Sequence, residues 1–330
     1  MSTADHVIQL TEADWKRHGT KLAADHPDAK WLIVDAEDLT FDGEVIGWDD
    51  ARPTIAWFGF DGLRSGAQRR HFQLARTSAS LRYALTSYAG LDNEFWNDLH
   101  ANGVVVTNAH LSGAPISQFI LARVLEHYHQ PEKLTDTRAA KQWSHQPYRE
   151  IDGSTWIVVG LGAIGTGVAR KARGCGARVI GARRAVTGDE SDVDEAITLA
   201  LLPERLPEAD VVVFAVPDSP ATTDLVDAGF LAAMKPDAAL VNVGRGSLIV
   251  EDDLLAALDA NELGVAILDV AREEPLPDAH RFWEHPKVMF STHTSAGGLN
   301  RHGRSAQLFS DNLTRIFNGE TPETPFFDPK

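Results

Sequence analysis

The sequence predicts an α/β protein built on two doubly wound, parallel-sheet domains, and three observations carry that prediction. A length of 330 residues exceeds what one hydrophobic core usually organises. Short, continuous apolar runs recur in two series, separated by polar stretches of helical length. The second series opens on an apolar strand that runs into a glycine-rich turn and then a helix.

The first series comprises Trp31 to Val34, Thr54 to Phe58, Tyr83 to Thr86 and Val104 to Thr107. Runs without polar alternation suit parallel strands covered on both faces. Pro115 to Tyr128 follows, apolar at 116, 119, 120, 124 and 125, with proline where a first turn tolerates it, so an amphipathic helix is expected there. The second series runs through Trp156 to Val159, Arg178 to Ile180, Val211 to Phe214, Ala239 to Asn242, Val265 to Leu268 and Val288 to Phe290, the six strands of a doubly wound sheet. Beyond Gly297 one helix is expected, roughly Arg304 to Phe317, and no strand. Without repeats or a Gly/Ser linker, the two sheets are expected to pack directly, with a cleft between them.

Composition narrows the function classes. Apolar residues make up 43% and charged residues 24%, and no apolar run approaches the ~18 residues of a membrane span. Met1 to Leu10 lacks a basic flank and an apolar core, so no cleaved secretory signal is expected, and the chain reads as soluble and cytoplasmic. Its single cysteine, Cys175, cannot form an internal disulfide and reads as a small buried residue on a helix. A net charge of -16 argues against nucleic acid as a partner. The cluster Asp189, Glu190, Asp192, Asp194 and Glu195 reads as a solvated loop, since no His or Cys punctuates it, and no bound metal is expected.

The glycine-rich turn is Gly160-Leu-Gly-Ala-Ile-Gly165, directly after the strand ending at Val159. Gly160 permits the tight turn, Gly162 lets the backbone approach a pyrophosphate, and Gly165 allows close helix–strand packing. The helix N-terminus then offers free amides to phosphates. The next strand ends at Arg183 and Arg184, 18 residues past Gly165, where an NAD site would place an acidic residue to hold the ribose 2′-hydroxyl. A guanidinium there suits a 2′-phosphate, so NADP(H) is the preferred cofactor and NAD(H) the alternative.

Three further segments follow strand ends, where ligands of such sheets bind. Arg245 lies between glycines, Glu274 precedes a proline, and His293 follows the last apolar strand.

The ordered set GLGAIG, VNVGRGSLIVEDDLLAAL, LDVAREEPLP and HTSAG resembles the D-isomer-specific 2-hydroxyacid dehydrogenase family, especially its short glyoxylate/hydroxypyruvate reductase-like members. The resemblance covers most of the chain, including Thr86 to Asp92, Ala114 to Ser117 and Val216 to Thr222. It implies a NADP-preferring enzyme that interconverts a small 2-keto acid and its D-2-hydroxy acid, with Arg245, Glu274 and His293 as catalytic residues: the arginine orients the substrate carboxylate and keto oxygen, the histidine is the acid/base, and the glutamate pairs with the histidine. Reducing a keto acid places hydride on carbon and a proton on oxygen, which gives an independent reason for those residue types. It implies a flavodoxin-like substrate domain of residues 1–110 plus 296–330, and a Rossmann cofactor domain of residues 111–295. Tyr88, Ala89 and Gly90 would bind substrate beside Arg245. Ala163, Ile164, Val216, Pro217, Thr222, Val243, Gly244, Asp269 and His293 would join Gly160, Gly162, Gly165, Arg183 and Arg184 around the cofactor, with Asp269 near the nicotinamide carboxamide. A homodimer formed through the cofactor domains is also implied, and the apolar helix from Pro115 agrees with it. Three residues depart from the family pattern: Ala271 replaces an aromatic, Gln118 a frequent Glu, and Asp218 an apolar residue.

Two rivals share the scaffold. The first is another oxidation, of formate or phosphite; a formate enzyme would carry glutamine in place of Glu274 and a longer N-terminal region, neither of which is seen. A nicotinamide-sensing binding protein would work through partner surfaces, for which the sequence has no motif; turnover of NADPH with glyoxylate separates it from the enzyme.

Overall fold

The structure is a computed structural model that describes residues 6–62, 65–88, 91, 93–109 and 111–326. The chain divides into two compact units, Met1–Leu111 with Leu299–Lys330, and Ser112–Gly298. Among the described residues, no helix is long and apolar enough to cross a membrane.

In the first unit, strands β1 (Val7–Thr11), β2 (Lys30–Val34), β3 (Leu39–Phe41), β4 (Glu44–Ile46), β5 (Ile55–Phe58), β6 (Tyr83–Thr86) and β7 (Val105–Thr107) form one sheet in the order β4-β3-β2-β1-β5-β6-β7. The five strands from β2 to β7 across that order run parallel in the flavodoxin-like succession. Helices α1 (Glu12–Asp25), α2 (Gln68–Thr77) and α3 (Glu94–Ala101) connect them. Every side chain of β5 is buried, and its alternation decides the two faces: Ile55 and Trp57 enter one core, Ala56 and Phe58 the other. The last helix of the chain covers the Trp57 face, where Phe309 stacks on Trp57 with ring centroids 4.4 Å apart, a contact worth about 0.5–1.5 kcal/mol beyond its buried area.

Two features of this sheet differ from the sequence expectation. Val7–Thr11 is its central strand, although His6, Gln9 and Thr11 break its apolar run. Gln9 is fully buried, and His71 on α2 holds its amide nitrogen: Gln9 Nε2 lies 2.9 Å from His71 Nδ1 and donates to the His71 carbonyl at 2.8 Å. The β3–β4 pair is antiparallel, closed by Asp42-Gly43 with φ of 47° and 92°, the two-residue turn that such a dipeptide favours.

In the second unit, β8 (Thr155–Val159), β9 (Arg178–Arg183), β10 (Glu195–Thr198), β11 (Val211–Phe214), β12 (Ala239–Asn242), β13 (Val265–Leu268) and β14 (Val288–Phe290) form a wholly parallel sheet ordered β10-β9-β8-β11-β12-β13-β14. This is the Rossmann order, with its switch point between β8 and β11. Helices α4 (Gly113–His129), α5 (Pro131–Ala139), α6 (Ala163–Gly174), α7 (Leu202–Arg205), α8 (Ala228–Ala232) and α9 (Glu251–Asp259) complete it. Trp156 and Val158 of β8 enter one core, Ile157 and Val159 the other. The final helix, α10 (Arg301–Phe317), belongs to the first unit.

Strand β10 is an addition to the six strands expected, and it revises the reading of the acidic cluster. Glu195 opens this edge strand, and the cluster is bound into the unit: Glu190 pairs with Arg183, Asp192 with Arg170, Asp194 with Arg173, and Glu195 with Arg178. Asp194 also accepts from the Val179 amide at 2.8 Å, tying the turn to β9. Cys175 is exposed at the end of α6 rather than buried, because the helix stops there and turns through Gly176 with φ 88°.

Candidate active site

Backbone geometry at the switch point builds a glycine-lined cradle. Gly160 has φ 94°, and a Cβ there would stand 2.6 Å from the Ala215 carbonyl, while one on Gly165 would meet the Gly160 carbonyl at 1.8 Å. The α6 helix therefore starts hard against β8. Gly162 caps α6 without a side chain, and a Cβ on it would meet nothing within 4 Å. The first-turn amides of Ala163, Ile164 and Gly165 are thus left for a ligand, and the open space before them fits a dinucleotide pyrophosphate.

Along the same strand ends, β11, β12, β13 and β14 deliver the remaining groups. Asn242, buried at the end of β12, accepts from the Gly244 amide at 3.0 Å and donates to the Arg245 carbonyl at 2.8 Å, which folds the Val243-Gly244-Arg245 turn. Arg245 is exposed and donates to the Gly244 carbonyl at 2.8 Å; it makes no ion pair among the described residues. A Cβ on Gly246 would stand 2.0 Å from the Ala271 carbonyl group, so glycine there lets the loop after β12 lie directly on the loop after β13. In that second loop Glu274 Oε1 accepts from the Ala271 amide at 3.2 Å, and its Oε2 lies 2.8 Å from His293 Nδ1. Arg245 is thereby joined through two backbone contacts to the Glu274–His293 pair.

His293 has φ 52°, the left-handed region that costs a non-glycine residue about 1–2 kcal/mol. Asp269 holds it there. The Asp269 carbonyl accepts from His293 N at 2.8 Å, and its carboxylate, 1% exposed, accepts from Ser291 Oγ at 2.7 Å, Thr294 N at 2.9 Å and Ser295 N at 3.1 Å, as well as from Ser295 Oγ. Asn242, Ser291 and Ser295 escaped the sequence reading; the available signal was a polar residue immediately after, or just beyond, an apolar strand. A cavity of about 590 Å³ opens beside the pair, walled by Pro275, Leu276, Trp283, Phe290 and Thr292. The imidazole and carboxylate remain half-exposed at its mouth.

The other expected residues are placed as follows. Val216 and Pro217 follow β11, and Thr222 is buried with its hydroxyl on the Pro217 carbonyl at 3.0 Å; Val243 is buried and Gly244 packs against the Val216 carbonyl. Asp218 accepts from Thr223 Oγ1 at 2.8 Å, and hydrogen bonds from Thr223 and Ser247, with Arg245 nearby, hold its carboxyl below the usual range. Arg183 ends β9 with its guanidinium 2.8 Å from Glu190, and Arg184 is exposed. Tyr88 follows β6 in the first unit, its hydroxyl donating to the Gly59 carbonyl at 3.3 Å. Ala89 and Gly90 lie outside the described residues.

A Rossmann unit with a glycine cradle at the switch point and an Arg, Glu and His on neighbouring strand ends defines a dinucleotide-dependent oxidoreductase class. Comparison with known proteins specifies it further: residues 121–295 match the family described as D-isomer specific 2-hydroxyacid dehydrogenase, NAD binding domain, and the chain belongs to that family. It is 31% identical over 257 residues to the "uncharacterized protein in proB 3′ region" of Corynebacterium melassecola, covering 74% of this chain and 82% of that one. It is 29% identical over 210 residues to glyoxylate/hydroxypyruvate reductase A of Serratia proteamaculans, covering 63% of this chain and 65% of the relative. Its fold is similar to a D-isomer specific 2-hydroxyacid dehydrogenase from Xanthobacter autotrophicus, solved with NADPH and MES, at 26% identity and a TM-score of 0.70 over 98% of each chain.

Proposed function

We propose that this protein reduces a small 2-keto acid of the glyoxylate or hydroxypyruvate type to its D-2-hydroxy acid, with NADPH preferred over NADH. The observation that carries this reading is the 2.8 Å contact between His293 and Glu274, joined through the loop contacts of Gly246 and Ala271 to Arg245 and set on the same strand ends as the glycine cradle. Gly160, Gly162, Ala163, Ile164 and Gly165 would hold the pyrophosphate, and Arg183 and Arg184 the adenosine end. Val216, Pro217, Thr222, Val243, Gly244 and Asp269 would line the path to the nicotinamide. The bound nicotinamide supplies a hydride to the keto carbon.

The chain's own residues do the rest. Arg245 binds the substrate carboxylate and stabilises negative charge as it develops on the keto oxygen. His293 gives that oxygen a proton from Nε2, the nitrogen left over when Nδ1 is committed to Glu274. Glu274 orients the ring through its contact with Nδ1. NADP(H) is favoured by the paired arginines, and the NADPH carried by the Xanthobacter autotrophicus neighbour supports the choice. A homodimer completes the proposal; Leu134, Trp143 and Tyr148 stand exposed on the segment after α4 and fit a surface that a second copy covers.

The test is a panel of keto acids, from glyoxylate and hydroxypyruvate to phenylpyruvate, assayed with NADPH and with NADH. Turnover of a small keto acid with a higher kcat/KM for NADPH supports the reading. Absence of turnover on every keto acid overturns the activity, equal use of both cofactors overturns the preference, and a stable monomer by light scattering overturns the assembly.

A further inference from the structure

We propose that Glu190 is a specificity-determining residue: in the free protein its carboxylate fills the cradle that the adenosine 2′-phosphate of NADP(H) takes on binding, and so it sets how strongly NADP(H) is distinguished from NAD(H). This rests on the cofactor reading above.

The donor set around that carboxylate is what a phosphate monoester needs. Glu190 accepts from the Thr187 amide at 2.7 Å, the Thr187 hydroxyl at 2.9 Å, the Gly188 amide at 2.8 Å and the Arg183 guanidinium at 2.8 Å. Two successive amides, a hydroxyl and a guanidinium converge on one anion. The loop carrying them is otherwise open, with residues 184–189 all exposed, yet the Glu190 side chain is only 5% exposed. A carboxylate on such a loop has water at no cost; this one is instead folded back onto donors. Hydrogen bonds from the Thr187 backbone first, and then from the Thr187 hydroxyl and the Gly188 amide, hold it well below the usual carboxylate range.

Position links the cradle to the cofactor. Arg183 closes β9, which runs parallel to β8 with Ala182 opposite Val159, so both strands end at the glycine turn. The Leu161 side chain of that turn reaches over Gly181 of β9, where a Cβ would stand 2.7 Å from it. A ribose 2′-hydroxyl is neutral and can donate to the Glu190 carboxylate, leaving the Arg183–Glu190 pair intact. A 2′-phosphate meets that carboxylate as a like charge and must displace it before it gains the amides and Arg183. Its apparent affinity is then reduced by the fraction of molecules in which the cradle stands open.

The experiment titrates adenosine 2′,5′-bisphosphate and adenosine 5′-monophosphate into the full chain, its Arg183→Ala variant and its Glu190→Gln variant, by calorimetry. The unmodified protein should bind the bisphosphate more tightly, and Arg183→Ala should remove the difference. Glu190→Gln should tighten the bisphosphate by about fivefold or more while leaving the monophosphate within about twofold. No discrimination in the unmodified protein, with Arg183→Ala silent, would sink the cofactor reading and this inference with it. Discrimination that depends on Arg183 but is unchanged or weakened in Glu190→Gln overturns the inference alone. A crystal structure with the bisphosphate bound gives a check that needs no variant: the 2′-phosphate should lie on the Thr187 and Gly188 amides with Glu190 displaced, and Glu190 remaining on those amides overturns the proposal.

Discussion

His293 Nδ1 stands 2.8 Å from Glu274 Oε2, although the two residues leave the sheet on different loops, after β14 and after β13. The contact fixes which imidazole nitrogen faces outward, and it makes the two substitutions distinguishable. His293→Gln should lower kcat by about two to four powers of ten, the usual worth of a positioned acid/base, while NADPH binding measured by fluorescence is retained. Glu274→Gln should lose less of kcat, because the imidazole remains in place and loses only its anionic partner. Reduction by His293→Gln within a few-fold of the unmodified protein would show the proton donor to lie elsewhere.

Arg245 reaches out from a turn folded by Asn242 and makes no competing ion pair among the described residues. Arg245→Lys should raise the keto-acid KM by about tenfold or more, since an ammonium cannot reproduce a two-pronged carboxylate contact. Steady-state kinetics at saturating cofactor measures this. An unchanged KM would place the carboxylate on another group.

The Asp269 carboxylate folds the loop that carries His293. Asn in its place keeps one acceptor oxygen and loses the charge, so Asp269→Asn should cost about 1.5–3 kcal/mol in urea unfolding. Well below the unfolding midpoint, kcat should fall as well, because the loop that carries His293 in its left-handed conformation loses its charged acceptor. A variant with unfolding free energy within about 0.5 kcal/mol of the unmodified protein would remove Asp269 from this role.

Asp14 and His71 predict opposed pH dependences in the first unit. Burial pushes the Asp14 carboxyl up to about 6 from 3.8, against the opposing hydrogen bond from Thr11. Burial pushes the His71 imidazole down to about 4 from 6.5. Protonated Asp14 therefore contributes stability that is complete below about pH 3.8 and lost as pH rises through 6. Neutral His71 contributes stability that is complete above pH 6.5 and lost as pH falls toward 4. Each integrates to about 3 kcal/mol, and between pH 4 and 6 the two slopes largely cancel. Relative to the unmodified protein, Asp14→Asn should gain stability as pH rises over that window and His71→Gln should lose it, as read by denaturant unfolding at a series of pH values. Parallel slopes in the two variants would contradict the assignment.

What the sequence by itself determined was whatever rests on local pattern. Unbroken apolar runs such as Trp156 to Val159 mark strands buried on both faces, and Gly160-Leu-Gly-Ala-Ile-Gly165 marks the cradle, because backbone sterics act within a few residues. Asp42-Gly43 is legible by the same logic, as a two-residue turn among polar neighbours. Only the tertiary structure decided features whose energetics depend on distant partners. Val7–Thr11 is the central strand of its sheet, and the amide nitrogen of its buried Gln9 is held by His71, 62 residues away. The acidic cluster is an ion-paired edge because α6 and β9 bring arginines to it. Asp269 holds the His293 loop because β13 and β14 lie side by side. A buried polar group is stable only with its partner in place, and chain spacing does not say which residue that partner is.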